Sequence, residues 1–221
     1  MGYLTGYYDR LQAFCCWFSL AVDELPMWAA YGQSYSGLAI GFRPAAILGI
    51  PGRVQKVKYL DQPKENEEFK ELALKIAAQV DLHRDSNDIV PWISAGVDAI
   101  AATIALKHQI WAYEKEVRVV YVQRKERPEG ALSKFPVSKM PKGELIYWRE
   151  PLERKVGTRS VRYVEFPFGR FHDGKFDPAR ALKTIIVGPN CPLSATSVEA
   201  ELKAQDFYDC VVKKSDYHIK V

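Results

Sequence analysis

The sequence predicts an α+β fold, with a mainly antiparallel mixed sheet and helices packed on one side. Three observations carry that expectation. Runs rich in β-branched and aromatic residues recur without strict alternation with helices, several of them follow one another in the last third, and two long helical stretches sit together in the middle. At 221 residues the chain has the length of one medium domain with a sizeable core, so residues 1–221 are read as a single domain. Lys plus Arg at 31 against Asp plus Glu at 27 leave a net charge of +4. That is too mild to announce a nucleic-acid partner, though it is compatible with anionic ligands such as nucleotides.

The elements follow in order. After an aromatic lead-in over residues 3–12, residues 13–18 are a compact apolar run of strand length closed by Ser19. Cys15 and Cys16 lie inside it and read as reduced core residues. Asp23 and Glu24 precede Pro26, a first turn for a short helix in which Met27, Ala30 and Tyr31 share an inward face and which Gly32 ends. Residues 37–42 form a strand whose two glycines permit close backbone approach or a bulge. Residues 44–52 are a helical turn or loop, and residues 53–60 a half-exposed strand. The clearest helix covers residues 65–83, with Phe69, Leu72, Leu74, Ile76, Ala77 and Val80 as its apolar stripe. A second, over residues 94–107, is apolar nearly all round and is predicted to be buried. His83 and His108 fall at helix ends, where a cation suits the dipole.

Residues 123–143 are polar and carry three prolines, which predicts a long, mobile loop. Strands are expected at residues 144–148 and 160–166 around a charged turn at 149–159, followed by a second polar loop at 169–177. Residues 182–187 read as a strand. Thr196 and Glu199 form a capping-box pattern for a helix to Gln205, with Ser194 as a rival cap. Residues 209–213 and 217–221 close the chain as short strands.

The stretch around which this organisation turns is residues 111–122, Trp-Ala-Tyr-Glu-Lys-Glu-Val-Arg-Val-Val-Tyr-Val. Strand alternation places Glu114, Glu116 and Arg118 on one face, if the strand starts early enough, and Val117, Val119 and Tyr121 on the other. Carboxylates at the mouth of a core strand are costly to desolvate unless paired or used. One reading is a Glu–Arg ion pair at a sheet end. The other is a catalytic glutamate held by a rigid strand.

Familiar chemistry is otherwise missing. Neither Gly-x-Gly-x-x-Gly, a Walker loop nor Gly-x-Ser-x-Gly occurs, which lowers the odds of dinucleotide oxidoreductases, ATPases and common hydrolases. The four cysteines show no Cys-x-x-Cys or Cys/His spacing, so neither zinc nor a redox pair is suggested. A nuclease is a poor reading for want of an Asp/Glu/His metal cluster. No signal peptide, myristoylation motif or apolar run near the roughly 20 residues of a membrane span is present, and a reducing cytoplasm is the default location.

Cys16-Trp-Phe-Ser19, Met27-Trp28-Ala-Ala-Tyr31, Gly37-Leu-Ala-Ile-Gly-Phe42, Trp111-x-Tyr-Glu-x-Glu-x-Arg118 and Leu182-Lys-Thr-Ile-Ile-Val-Gly188 together resemble the family catalogued as domain of unknown function 2971. One departure stands out: the chain lacks an opening segment, with a Tyr-Arg pair and an Asn-Asp-Pro-Phe-like motif, that the family's pattern carries. The family brings no settled activity. A weaker resemblance is to ADP-ribosyltransferases, whose Glu-x-Glu opens a core strand while a Ser or Tyr lines the nicotinamide pocket. That resemblance implies an ADP-ribosyltransferase-like fold and an enzyme that uses NAD as substrate without a metal, either a transferase or a glycohydrolase. Glu116 would stabilise the ribosyl cation and Glu114 would position the acceptor, a protein or nucleic acid. Ser19, Trp28, Tyr31 and Arg118 would bind the nucleotide. The competing expectation is a non-catalytic binding or regulatory module, in a bacterial or phage conflict system.

Overall fold

The computed structural model describes residues 10–61, 67–82, 90–127, 149–166, 170–172 and 175–218. Over these the fold is α+β, as predicted, and antiparallel pairing dominates. The first sheet has the order β1-β6-β3, with β1 at Leu11–Ser19, β6 at Glu116–Arg124 and β3 at Arg53–Lys56, both pairs antiparallel. The expected strand over residues 117–122 is thus the central strand. Ser19 pairs with Glu116, and Trp17 with Arg118. Alternation then puts Cys15, Trp17, Glu116, Arg118 and Val120 on one face, and Cys16, Phe18, Val117, Val119 and Tyr121 on the other.

Helix α4, Val90–Ile104, crosses the first of these faces, and Gln55 donates to the Ala101 carbonyl at 2.5 Å. It covers β6 and β3 but not the β1 side, where Trp17 remains 66% exposed. Cys15, on that uncovered side, and Cys16, on the opposite face, are exposed free thiols, not core residues. An apolar run on a sheet edge that no helix covers cannot be buried by its composition alone. On the opposite face Phe18 meets Phe42 edge-on at 5.7 Å and Tyr121 meets Phe166 at 4.7 Å.

Phe42 belongs to β2, Leu38–Phe42, in a second sheet ordered β12-β11-β2. Its middle strand β11, Leu182–Val187, falls where the sequence places it. It runs antiparallel to β2 and parallel to β12, Val211–Lys214. Ile185 and Val187 pack with Val198 of helix α5, Ala195–Ala204, and with Cys210. The Ser194 hydroxyl, not Thr196, caps α5 by accepting from the Ser197 N–H at 3.0 Å. The register shifts between Leu182 and Thr184, opposite Gly41, as the glycines of residues 37–42 foretell.

Helix α1, Leu25–Tyr31, ends at Gly32 as expected, but its inward residue is Trp28, 3% exposed, while Ala30 and Tyr31 face out. The indole lies against Gly188 and Gly32, where Cβ atoms would come within 3.1 and 2.6 Å of the ring. Its N–H donates to Asp23 at 2.6 Å, and the same carboxylate accepts from the Ser215 hydroxyl at 2.8 Å and the Asp216 N–H at 2.9 Å. Burial works against the Asp23 charge, but these three bonds and nearby Lys213 outweigh it and lower its pKa. The helix is thereby fastened to the end of β12.

Other elements depart from the sequence reading. Residues 53–60 divide into β3 and β4, Lys58–Leu60, with buried Val57 between them donating its N–H to the Glu116 carbonyl at 2.9 Å. Helix α4 stops at Ile104, and β5, Leu106–His108, pairs in parallel with β4. His108 does not end that helix: it lies in β5, and its Nδ1 accepts from the Ile110 N–H at 3.2 Å. Helix α2 is short, Pro44–Leu48, and α3, Glu67–Leu82, matches its prediction, although Leu74 of the expected stripe is 69% exposed. The expected strand at 160–166 is β8, Arg159–Tyr163, but it pairs with β7, Leu152–Val156, inside the expected turn at 149–159, and the expected loop at 169–177 contains the antiparallel pair β9, Arg170–His172, and β10, Lys175–Asp177. Tyr217 and His218 are not in a strand. His83, residues 144–148, most of the predicted 123–143 loop and the end of the last predicted strand lie outside the described residues. Among the described residues, no helix is long and apolar enough to cross a membrane.

A Cβ at Gly188 would sit 2.5 Å from the Tyr35 carbonyl oxygen and 2.7 Å from that of Gly37. Because both obstacles are backbone, Gly188→Ala should cost about 1–3 kcal/mol in urea unfolding. A change at the exposed tip glycine, Gly157, adds no clash, since nothing lies within 4 Å of its Cβ position. An unchanged midpoint for Gly188→Ala would refute this account of the Trp28 packing.

Candidate functional site

The chain approaches β6 through a 3₁₀ turn, Gln109–Glu114, and then Lys115, whose left-handed backbone (φ 46°, ψ 48°) breaks the strand period. Glu114 therefore reaches inward from the turn and is not on the strand face with Glu116 and Arg118, contrary to the sequence reading. Both carboxylates are nonetheless buried, Glu114 at 3% and Glu116 at 4% exposure. They converge on one cation, Lys107 of β5, whose Nζ donates to Oε2 of Glu114 and, at 3.1 Å, to Oε2 of Glu116. Arg118 grips Glu116 through Nε at 2.7 Å and Nη2 at 3.0 Å, while its Nη1 donates to the Ile104 carbonyl.

Hydroxyls complete the shell. Tyr31 donates to Oε1 of Glu114 at 2.7 Å, and Ser19 to the Glu114 carbonyl at 2.6 Å. The Tyr59 hydroxyl accepts from the Glu116 N–H at 2.7 Å. Two carboxylates thus face two cations, a locally neutral set with little access to water. Burial alone would raise the Glu116 pKa, but the hydrogen bonds and charges of Arg118 and Lys107 prevail and lower it. Burial likewise disfavours the Lys107 charge, and the two glutamates reverse that and raise its pKa. The bond to Glu114, helped by burial, pushes the Tyr31 phenol up to about 12.

Of the residues predicted to form a site, Ser19, Tyr31, Glu114, Glu116 and Arg118 come together. Trp28 does not join them, being enclosed beneath Gly188 with its N–H held by Asp23. Sequence reasoning missed Lys107, Tyr59 and the flanking ring of Trp111. Charge accounting could have found Lys107, because two buried carboxylates beside a single arginine call for a second cation. Above the cluster the accessible surface is aromatic: Tyr31 is 56% and Trp111 41% exposed, and Lys107 Nζ stands 5.1 Å from the Trp111 ring centroid. Each carboxylate oxygen in this arrangement already accepts at least one hydrogen bond, from Tyr31, Lys107 or Arg118, whereas the two rings are partly open to solvent. Among the described residues, no group of three or more His, Cys, Asp or Glu side chains could hold a metal ion.

Residues 27–119 match the family described as "Protein of unknown function (DUF2971)", so the family resemblance read from the sequence holds over that span. The blocks at residues 16–19 and 182–188 lie outside it. No curated protein and no solved structure matches the chain.

The cluster fixes a pH dependence. Glu116 has a lowered pKa when folded, so its contribution is complete above its unfolded value, near 4.5, and fades as pH falls through the lower folded value. Lys107, raised above 10.5, contributes fully below that value and loses the contribution as pH rises through its folded pKa. Urea midpoints should therefore fall at both extremes. Glu116→Gln, which strands two cations on one carboxylate, should cost about 3 kcal/mol or more at neutral pH and flatten the acid limb. Wild-type stability with no acid limb would contradict this.

Proposed function

We propose that this chain is a non-catalytic binding or regulatory module for a small nucleotide-like ligand. In this reading the Glu114, Glu116, Lys107 and Arg118 cluster is its internal framework, and the Tyr31 and Trp111 rings are its contact surface. One observation carries it: both carboxylates are buried and already matched by two cations, so neither is available as a base or as a charge facing a substrate. The exposed rings would stack on a planar base or nicotinamide, with the Lys107 ammonium beside them. The exposed free thiols of Cys15 and Cys16 support a reducing, cytoplasmic setting.

A second reading draws on a different observation. Ser19, Tyr31, Glu114 and Glu116 gather at the start of a central strand, which is what an NAD-using, ADP-ribosyltransferase-like transferase or an NAD glycohydrolase would require. For that chemistry Glu116 must be freed from Lys107 or Arg118 when substrate binds, so that its charge faces the ribosyl cation.

Calorimetry with NAD at millimolar concentration, paired with an assay for released nicotinamide, separates the readings. The module should bind without releasing nicotinamide. Trp111→Ala should weaken binding about tenfold while leaving the melting temperature near that of wild type, since the ring is a surface group. Nicotinamide release that Glu116→Gln abolishes in a still-folded protein would establish the enzyme instead. No heat with NAD, AMP or nicotinamide would remove the nucleotide ligand from both readings.

A further inference from the structure

The β7–β8 hairpin contributes nothing to the cluster, yet its charge is unusually ordered. Every residue of its two strands except Tyr163 is exposed. Gly157, with φ +60°, turns the chain at a tip where no other atom lies within 4 Å of its Cβ position. A two-stranded hairpin alone is at best marginally stable in water. This one also exposes Leu152, Val156 and Val161, at 40%, 53% and 38%. Such a ribbon is suited to a partner.

Its pairing register shows which kind. Arg154 pairs with Val161 and Val156 with Arg159, so both arginines stand on one face. Lys155 pairs with Ser160 and Glu153 with Arg162, which puts the lysine and the other arginine on the opposite face. From residue 154 to residue 162 there is no carboxylate; Glu153, directly across from Arg162 on the lysine's face, accepts from the Ser160 hydroxyl at 3.2 Å. Each face thus carries two cations two residues apart along the ribbon, about 7 Å by strand geometry. An acidic protein surface would meet one face. Cations on both faces suit an element lying between two lines of negative charge.

We propose that the β7–β8 ribbon inserts into the major groove of double-stranded DNA, each face turned to one phosphate backbone. A groove about 12 Å wide admits a two-stranded ribbon. The contacts would be to phosphates, and hence without strong sequence preference. This inference does not depend on the function proposed for the cluster.

The test is anisotropy of a short fluorescent duplex titrated with the full chain across a salt series. Wild type should bind in the range of about 10⁻⁴–10⁻⁶ M at physiological salt, with log K falling against log salt by about 0.9 per phosphate contact. The pair Lys155→Ala with Arg162→Ala should reduce that slope by about 2, and the pair Arg154→Ala with Arg159→Ala should do the same from the other face. Melting curves of the first pair should overlay wild type, because both side chains are exposed. The proposal is overturned by no duplex binding at low salt, or by a slope that only one pair changes. Single-stranded DNA or polyglutamate binding as tightly as duplex would overturn it equally.

Discussion

Two carboxylates withdrawn from water must find two positive charges, and much of this architecture is the means of supplying them. Helix α4 stops at Ile104 in time for β5 to carry Lys107 inward, and the freed Ile104 carbonyl receives Arg118. Lys115 adopts a left-handed backbone so that Glu114 and Glu116 both turn to the same ammonium. Hydroxyls arrive from the ends of β1 and α1 and from the middle of β4. Desolvation makes such a network a poor source of net stability, but a half-assembled one is very unfavourable. Its effect is therefore selective: registers that misplace any one partner leave a bare charge inside.

The same balance shapes what the surface can do. With both carboxylates engaged by Lys107 and Arg118, reactivity would depend on a rearrangement that frees one oxygen. What remains permanently accessible is aromatic and basic, the Tyr31 and Trp111 rings beside Lys107. Asp23 does for the second sheet what Lys107 does for the first, gathering Trp28, Ser215 and Asp216 around one charge.

Elements whose local pattern and tertiary setting agree were legible in the sequence. The strand at Leu182–Val187 closes on an apolar run, Ile185, Ile186 and Val187, that is buried on both faces, and Gly41 reported the bulge opposite its start. Glu116 and Arg118 share a face because strand alternation requires it. What escaped depends on neighbours remote in sequence. Trp28 displaced Tyr31 as the inward residue of α1 because Gly188 leaves room for an indole. Cys15 looks like core until α4 is seen to pass beside it, over β6 and β3, and Cys16 is exposed on the opposite face of the same edge strand. Lys107 read as the end of a helix because nothing local announces a strand of three residues. The hairpins at Leu152–Val156 and Lys175–Asp177 are too charged and short for a hydrophobic pattern to mark them.

The pairing of β1 with β6 has a further consequence for biosynthesis. Ser19 finds its acceptor 95 residues further along the chain, and Leu11 pairs with Arg124. During translation the uncharged strand Leu-Gln-Ala-Phe-Cys-Cys-Trp-Phe-Ser leaves the ribosome first and must wait for its partner strand. A segment of that composition, with no proline or charge inside it, is prone to associate with other nascent chains meanwhile. The yield of folded protein should then depend on elongation rate and on chaperones that hold the amino-terminal strand apart until β6 appears.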